Sequence, residues 1–301
     1  MSTGTKGGEF VALRLGARAL LFASDRIGFS LAFLAALAAG SLQLATPDTD
    51  RLPIAGDSAT YHSLAEGLER LFHDPQLAGD LVAGRLALDE RAALGIDRWE
   101  FQHAAGLILP LGIAYAAFPS NLGAGRAFAL LLYAASAGLL WLIARRLLGR
   151  GLAGLAVAAF LLYLPFLYYG LGIATEGHAM FHLLLVAWFL LRFHRRRSLQ
   201  RAVWLGVALA LFALAKATYR PLVLLLLLGE IFWLLRGRRL SMGAGLAAAT
   251  LVPLLLWTGV LAAARVPPSP LGAGSDHALR TYRGNYVPDQ GWETTGLGDA
   301  I

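Results

Sequence analysis

Long apolar runs rich in Leu, Ala and Val alternate with short arginine clusters along most of the chain. One long polar stretch near the N-terminus interrupts this pattern. Crossing ~30 Å of hydrocarbon takes about 20 helical residues, and about seven of the runs approach that length. We therefore predict an all-α fold, a polytopic transmembrane helical bundle of about seven spans. The predicted spans are 27–45, 127–144, 152–169, 175–193, 202–218, 221–235 and 241–264.

The polar stretch, residues 46–126, is too long for a simple connection and is rich in acidic residues. Its apolar piece, 104–118, reaches only ~22 Å as a helix, which is too short to span comfortably. If that piece crossed, the arginine clusters at 145–150 and 192–197 would lie opposite the basic N-terminus, against the positive-inside rule. We therefore predict a large extracytoplasmic loop with juxtamembrane helices, in which 104–118 is re-entrant or juxtamembrane.

The composition agrees with a multi-pass membrane protein. Hydrophobic residues make up 57% and charged residues 15% of the chain, far from the balance of a soluble domain. The net charge of +7 comes with arginines clustered between apolar runs, so no nucleic-acid partner is expected. The absence of cysteine excludes disulfides, thiolate catalysis and zinc-thiolate sites. No cleavable signal peptide is evident, so we expect a retained first helix after a cytoplasmic arm, 1–26.

Asp57 is the first candidate for chemistry because it precedes a predicted amphipathic helix. Tyr61, Leu64, Leu68 and Leu71 recur at helical spacing, which predicts a helix lying on the membrane surface. One interpretation of Asp57 is an N-cap that accepts amide hydrogen bonds. The other is a carboxylate held at the outer surface as a general base or metal ligand. The two interpretations are compatible.

Glu176 is the second candidate, at the outer end of a predicted span. A carboxylate near hydrocarbon is costly unless it faces a polar cavity or a partner. The alternative is an interfacial acid in a first helical turn, where the helix dipole favours it. His178 and His182 are four residues apart and share one helix face. Without an H-E-x-x-H arrangement, we favour packing or hydrogen bonding over a metal pair.

Two cations lie at the outer tip of a predicted tight hairpin, which we expect to be broken at 219–221 because proline cannot continue the first helix. Lys216 and Arg220 flank this tip at a spacing of four residues. They either extend to lipid head groups or form a clamp for an anionic group such as a lipid phosphate. Glu230 lies deeper, and we predict that it pairs with an arginine near the inner face.

Four segments in a fixed order carry a resemblance to a known family. They are Gly-Asp-Ser-Ala-Thr-Tyr-His at 56–62, Phe-Gln-His-Ala-Ala-Gly-Leu at 101–107, a span from Arg126 to Ala-Arg-Arg-Leu-Leu-Gly at 144–149, and Leu-Phe-Ala-Leu-Ala-Lys-Ala-Thr at 211–218. In this order the segments resemble the GT-C superfamily of membrane glycosyltransferases. The resemblance is greatest to bacterial family 39 proteins related to protein O-mannosyltransferases and the lipid A aminoarabinose transferase.

The resemblance implies inverting transfer of a sugar from a polyprenyl-phosphate donor to a lipid, glycan or protein acceptor. It places the enzyme in a bacterial plasma membrane, with the active face outside, and leaves a divalent metal open. Asp57 would be the base, and Glu176 would position the acceptor, the sugar or a metal. The residues implied in binding the phosphate are Lys216, Arg220, Arg126 and His103. The residues implied in the groove for substrate and acceptor are Tyr61, His62 and His178.

Two departures from the family pattern keep other functions open. Ala104 and Ala105 replace the prolines that often follow the family's basic residue, which weakens the assignment of His103. Family members usually continue beyond a module like 27–264, so we expect the extracytoplasmic segment 265–301 to be incomplete. A transporter or flippase for lipid-linked sugars would predict inverted repeats and midplane charges. A non-catalytic scaffold would predict that the candidate carboxylates and Lys216 do not converge on one outer cavity.

Overall fold

The computed structural model describes residues 6–45, 57–95, 105–118 and 120–263. Within these residues every regular element is a helix, which confirms the all-α prediction. In chain order the helices are α1 (Lys6–Leu44), α2 (Asp57–His73), α3 (Pro75–Val82), α4 (Leu88–Ala93), α5 (Ala105–Ala117), α6 (Leu122–Leu148), α7 (Arg150–Leu162), α8 (Leu164–Leu171), α9 (Thr175–Arg195), α10 (Leu199–Ala215), α11 (Arg220–Arg236) and α12 (Leu240–Ala263). A 3₁₀ turn, Ala217–Tyr219, separates α10 from α11.

The chain forms two compact units, each built from two stretches of sequence. The first unit, residues 1–53 and 126–191, contains α1, α7, α8 and nearly all of α6 and α9. The second unit, residues 54–125 and 192–301, contains α2 to α5 and α10 to α12. The predicted arm at 1–26 is helical from Lys6 onward, and the predicted segment 265–301 lies outside the described residues.

In the first unit, α1 and α6 run antiparallel. Gly40, near the end of α1, lies against the Leu130 side chain near the start of α6. At the other end, Asp25 of α1 forms an ion pair with Arg145 of α6. The chain just before the first predicted span therefore lies at the same end of this unit as the arginine-rich end of α6.

Helices α6 and α9 run in the same direction within the first unit. Near their starts, the rings of Phe128 and His178 lie 5.5 Å apart. Near their ends, the Arg146 guanidinium lies 3.9 Å from the centre of the Trp188 ring. Because both helices point the same way, the chain between them has to return from one end of the unit to the other, and α7 and α8 make that return.

This return path is broken, so the predicted single span at 152–169 is wrong. Helix α7 ends before Tyr163, whose backbone is extended, and α8 starts at Leu164. Pro165 accounts for the break, because it has no N–H to continue the hydrogen-bond ladder of α7 and lies in the first turn of α8, where none is needed. An apolar cavity of about 520 Å³ lies beside the break, and its lining includes Leu140, Phe160, Tyr163, Phe166 and Met180.

In the second unit, α10 is the central helix and is buried along most of its length. It packs in parallel with α12, since Leu199 contacts Gly245 and Gly206 contacts the backbone of Leu246 and Thr250. A Cβ on Gly206 would lie 2.6 Å from the Leu246 carbonyl oxygen, so glycine is what permits this approach. Helix α11 connects α10 to α12 in the chain and runs in the opposite direction to both.

The hairpin of α10 and α11 is broken earlier than the sequence indicated. Helix α10 ends at Ala215, and Lys216 is extended, with φ −156° and ψ 127°. The predicted break at 219–221 is therefore wrong. Pro221 lies in the first turn of α11, where a residue without an N–H leaves no helical hydrogen bond unmade.

Five helices or helical stretches are long and apolar enough to cross a membrane in the part of the chain that the structure describes. They are Ser24–Leu44 of α1, α6, α9, Ala217–Arg236 and α12. The prediction of about seven such spans was therefore too high by length alone. The other two predicted runs are the broken pair α7–α8 and the 17-residue α10, and both run between the ends of longer helices. Helix α5, with 13 residues, is about 20 Å long.

Candidate functional site

The helix that begins at Asp57 has the predicted periodicity, but protein covers its apolar face. Tyr61, Leu64 and Leu68 are buried, and α2 packs along α5 through them. Gly112 of α5 lies directly against the Leu68 side chain. The apolar face of α2 therefore contacts α5, which corrects the prediction that it rests on the membrane.

A short polar network joins α2 to α5. The Tyr115 hydroxyl lies 2.7 Å from His62 Nδ1, and His62 Nε2 lies 3.5 Å from Glu66 Oε1. Burial raises the pKa of Tyr115 above its ordinary value, and the charges of Glu66 and Glu69 raise it further. The Tyr115 phenol thus stays protonated at neutral pH. Tyr115 was not a candidate from the sequence because it lies in an apolar run, although its contact His62 was one.

Asp57 is the first residue of α2 and lies on the N-terminal side of His62 in the same helix. The structure describes its backbone position and not its side chain, so its roles as cap and as base stay predictions. His103, the fourth candidate for the phosphate, lies outside the described residues.

Lys216 and Arg220 flank the 3₁₀ turn between α10 and α11, on the two sides of the hairpin tip, as their sequence positions indicated. Lys216 is the extended residue that ends α10, and Arg220 is the first residue of α11. The ring of Tyr219 stacks on Phe212 at 4.8 Å, which folds the turn back onto α10. Both cations are half-buried. The turn fixes the backbone at both cations, as an anion clamp requires.

Helix α5 contacts both candidate groups of the second unit, but at different ends. Gly106, near its start, lies against the backbone of Ala215, next to Lys216. Tyr115, about 13 Å further along the axis, contacts His62, and Asp57 lies beyond His62 on α2. This register places Asp57 and Lys216 toward opposite ends of α5 and does not bring them together.

In the first unit, Glu176 and Arg126 belong to the same end. Arg126 lies in the early turns of α6 and Glu176 in the first turn of α9, whose starts meet at Phe128 and His178. Glu176 is exposed, and Thr175 Oγ1 donates a hydrogen bond to its Oε2 at 3.3 Å. This setting agrees with an acid that favours the positive end of the helix dipole.

His178 and His182 are both buried on one face of α9. His182 Nδ1 lies 2.8 Å from the His178 carbonyl oxygen, and the His178 ring packs on Phe128. No group of three or more His, Cys, Asp or Glu that could hold a metal occurs among the residues with described positions. The contacts of the two histidines are those of packing and local hydrogen bonding.

Within the described residues, Glu230 has a histidine as its partner and not the predicted arginine. Its Oε1 lies 2.8 Å from His194 Nε2, which joins α11 to the last turn of α9. The carboxylate is mostly buried, with 14% of its side chain exposed, so this contact offsets part of the cost of burying it.

Comparison with protein families gives one match, over residues 107–257, to a family described as Dolichyl-phosphate-mannose-protein mannosyltransferase. The matched region starts on α5, covers half of the chain and includes Arg126, Glu176 and the turn with Lys216 and Arg220. No curated protein and no solved structure gives a significant match to the chain.

Proposed function

Because the chain belongs to the Dolichyl-phosphate-mannose-protein mannosyltransferase family of GT-C membrane glycosyltransferases, we propose that it moves a sugar from a polyprenyl-phosphate donor to an acceptor hydroxyl. The observation that carries this proposal is the family match over residues 107–257, which includes Arg126, Glu176 and the turn with Lys216 and Arg220.

In the proposed reaction, the Asp57 carboxylate takes the proton of the acceptor hydroxyl. The acceptor oxygen attacks the anomeric carbon, and the bond from that carbon to the phosphate oxygen breaks. Polyprenyl phosphate leaves with the electron pair, so a single displacement inverts the anomeric centre. Lys216 and Arg220 stabilise the charge that develops on the phosphate, since fixed cations act most strongly where charge appears in the transition state.

The remaining candidates have supporting roles in this scheme. Glu176 positions the acceptor or sugar, and Arg126 and His103 add cationic contacts to the phosphate. Tyr61, His62 and His178 belong to the substrate groove. The reaction takes place at the extracytoplasmic face of a bacterial plasma membrane.

The register of α2 on α5 sets a condition on this mechanism. A base acts only within hydrogen-bond reach of its proton, and the leaving phosphate is bonded to the carbon under attack. Asp57 and Lys216 must therefore approach each other when donor and acceptor bind. Helix α2 would have to move along α5, or one of the two assignments fails.

The experiment measures transfer from synthetic polyprenyl-phosphate sugars by the full chain in membranes, with the product identified by mass spectrometry. We expect Asp57→Asn to reduce transfer at least ~100-fold, in line with the loss of a general base. Asp89→Asn, which changes an exposed acid in the same loop, should keep wild-type activity. Lys216→Gln should raise the donor KM as well as lower kcat. Wild-type transfer by Asp57→Asn would remove this residue as the base and leave Glu176 to be tested.

A non-catalytic scaffold is the second candidate function, and the same register favours it. Under this alternative, Asp57 and Lys216 never meet, and the chain binds a lipid-linked sugar without transferring it. A scaffold would bind the donor in a way that depends on Lys216. It would give no product from any of the polyprenyl-phosphate sugars tested.

A further inference from the structure

Two arginine clusters meet at one end of the second unit. The connection from α9 to α10 and the connection from α11 to α12 approach each other there, because Leu199 contacts Gly245. The Arg197 guanidinium lies 3.6 Å from the centre of the Trp233 ring, which adds a second link between them. The arginines that these connections bring to one end are Arg192, Arg195, Arg196, Arg197, Arg201, Arg236, Arg238 and Arg239. We call this set the basic end.

The segment that carries this charge contains almost no acid. From residue 192 to 263 the sequence contains a single acidic residue, Glu230, and its Oε1 contacts His194 at 2.8 Å. Eight arginines lie near one carboxylate that already contacts a histidine, so they repel each other. Anions bound from outside the chain would reduce this repulsion. The basic end is therefore built for an anionic partner.

Six arginines of the basic end form two groups by their contacts and exposure. Arg201 donates hydrogen bonds to the carbonyl oxygens of Arg192 and Arg196, at 2.9 and 3.0 Å, and so holds the end of α9. Arg197 is stacked on Trp233. The side chains of Arg195, Arg196, Arg236 and Arg238 are exposed. The first group fixes the shape of the surface, and the second group presents charge to a ligand.

Large apolar side chains surround the basic end, which identifies the class of partner. Phe232 is 67% exposed and lies one turn before Arg236, Leu240 is 66% exposed, and Trp204 is 50% exposed on α10. Tryptophan is enriched at the depth of lipid head groups in membrane proteins, and exposed Phe and Leu side chains beside it suit the lipid chains. A soluble polyanion would meet cations and water, whereas a phospholipid satisfies the arginines with its phosphate and the apolar rim with its chains.

We propose that the basic end binds the phosphate head groups of anionic phospholipids. Juxtamembrane clusters of four to eight basic residues attract acidic lipids, with about 1 kcal/mol for each cation near the surface. The proposal does not depend on the reaction that the protein catalyses, and it concerns residues outside the proposed reaction site.

The test offers the full chain in detergent an equimolar mixture of phosphatidylglycerol and phosphatidylcholine, and mass spectrometry measures the lipids retained. We expect wild type to retain phosphatidylglycerol preferentially. The triple variant Arg195→Gln, Arg196→Gln, Arg236→Gln should lower this preference at least ~tenfold, given the contribution of each cation. The matched control replaces three arginines of the α2–α4 region, Arg70→Gln, Arg85→Gln and Arg91→Gln, and should retain the preference.

A second triple variant, with lysine at Arg195, Arg196 and Arg236, separates lost charge from lost folding, because lysine keeps the charge and should restore most of the preference. Wild-type preference in the glutamine triple variant would overturn the proposal, as would an equal loss in the control. Displacement of the lipid by inorganic phosphate at constant ionic strength would also overturn it, since the site would then serve a free anion.

Discussion

At the scale of single residues, Tyr115 and Glu230 show what sets the behaviour of a polar side chain in this protein. Tyr115 is buried between α2 and α5, and its hydroxyl contacts His62. Glu230 lies in an apolar run, yet it contacts a histidine from a different helix. The sequence indicated that Glu230 needs a partner, because a lone buried charge is costly. It could not identify His194, since the choice depends on how α9 meets α11.

The raised pKa of Tyr115 predicts a loss of stability at alkaline pH. The unfolded chain loses the phenol proton near pH 10, whereas the folded chain keeps it to higher pH. Above pH 10 the unfolded state therefore binds fewer protons, and the free energy of unfolding falls as pH rises.

Tyr115→Phe tests this by removing the hydroxyl. At pH 7 we expect a loss of about 1 kcal/mol, the typical net value of one hydrogen bond. Above pH 10 the difference from wild type should shrink, because the variant has no phenol to titrate. Unfolding in mixed micelles, followed by tryptophan fluorescence from pH 7 to 11, measures both. A constant difference across that range would contradict the prediction.

At the scale of helices, the lengths of apolar runs predicted most elements, because hydrocarbon demands long runs without charge. The breaks were harder to predict. Pro165 was a usable signal, since proline has no N–H to continue a helix, and the break at Tyr163 comes two residues before it. At Lys216 no glycine or proline interrupts the run, and the end of α10 is set by the fold of the turn. The contact of α2 with α5 could not be predicted from the sequence either, because an amphipathic stripe predicts that a face is buried and does not identify its partner.

The contact of α10 with α12 gives a prediction for Gly206. A Cβ there would lie 2.6 Å from the Leu246 carbonyl oxygen and 2.7 Å from Ala249 Cβ. Because one of these atoms belongs to the backbone, the helices must separate, and we expect Gly206→Ala to cost about 1–3 kcal/mol. The matched control is Gly229→Ala on α11, where no atom lies within 4 Å of the new Cβ. It should leave stability unchanged or raise it. Thermal unfolding in detergent compares them, and equal effects would show that the contact is looser than described.

At the scale of the whole molecule, the direction in which each helix runs is more informative about the topology than its length. The parallel arrangement of α6 with α9, and of α10 with α12, requires a return between each pair. Crossings by the pair α7–α8 and by α10 stay predictions beside the five helices of full length in the described residues. The arginine clusters before α10 and after α11 favour the same side of the membrane, so a crossing by α11 requires a crossing by α10 as well.

Cysteine labelling tests the crossing of α10, and the absence of native cysteine leaves a clean background. Gln200→Cys and Thr218→Cys place exposed thiols at its two ends. In spheroplasts, a membrane-impermeant maleimide should label the thiol at 218 and reach the thiol at 200 only after permeabilisation. Asp89→Cys, in the predicted outer loop, is the positive control. Labelling of both ends in intact spheroplasts would mean that α10 stays on one side.

The break between α7 and α8 has a consequence for how the protein enters the bilayer during synthesis. Pro165 has no N–H for the Leu161 carbonyl, and the Phe166 N–H bonds to Tyr163 in place of the Leu162 carbonyl. A helix end leaves its last carbonyls without intrahelical partners, and each unpaired carbonyl in hydrocarbon costs several kcal/mol, so this segment is a poor candidate for insertion alone. Helix α9 follows it at once and is long and apolar enough to insert. We expect the translocon to release the α7–α8 segment and α9 into the membrane together. Shortening α9 should therefore leave α7 and α8 outside the membrane.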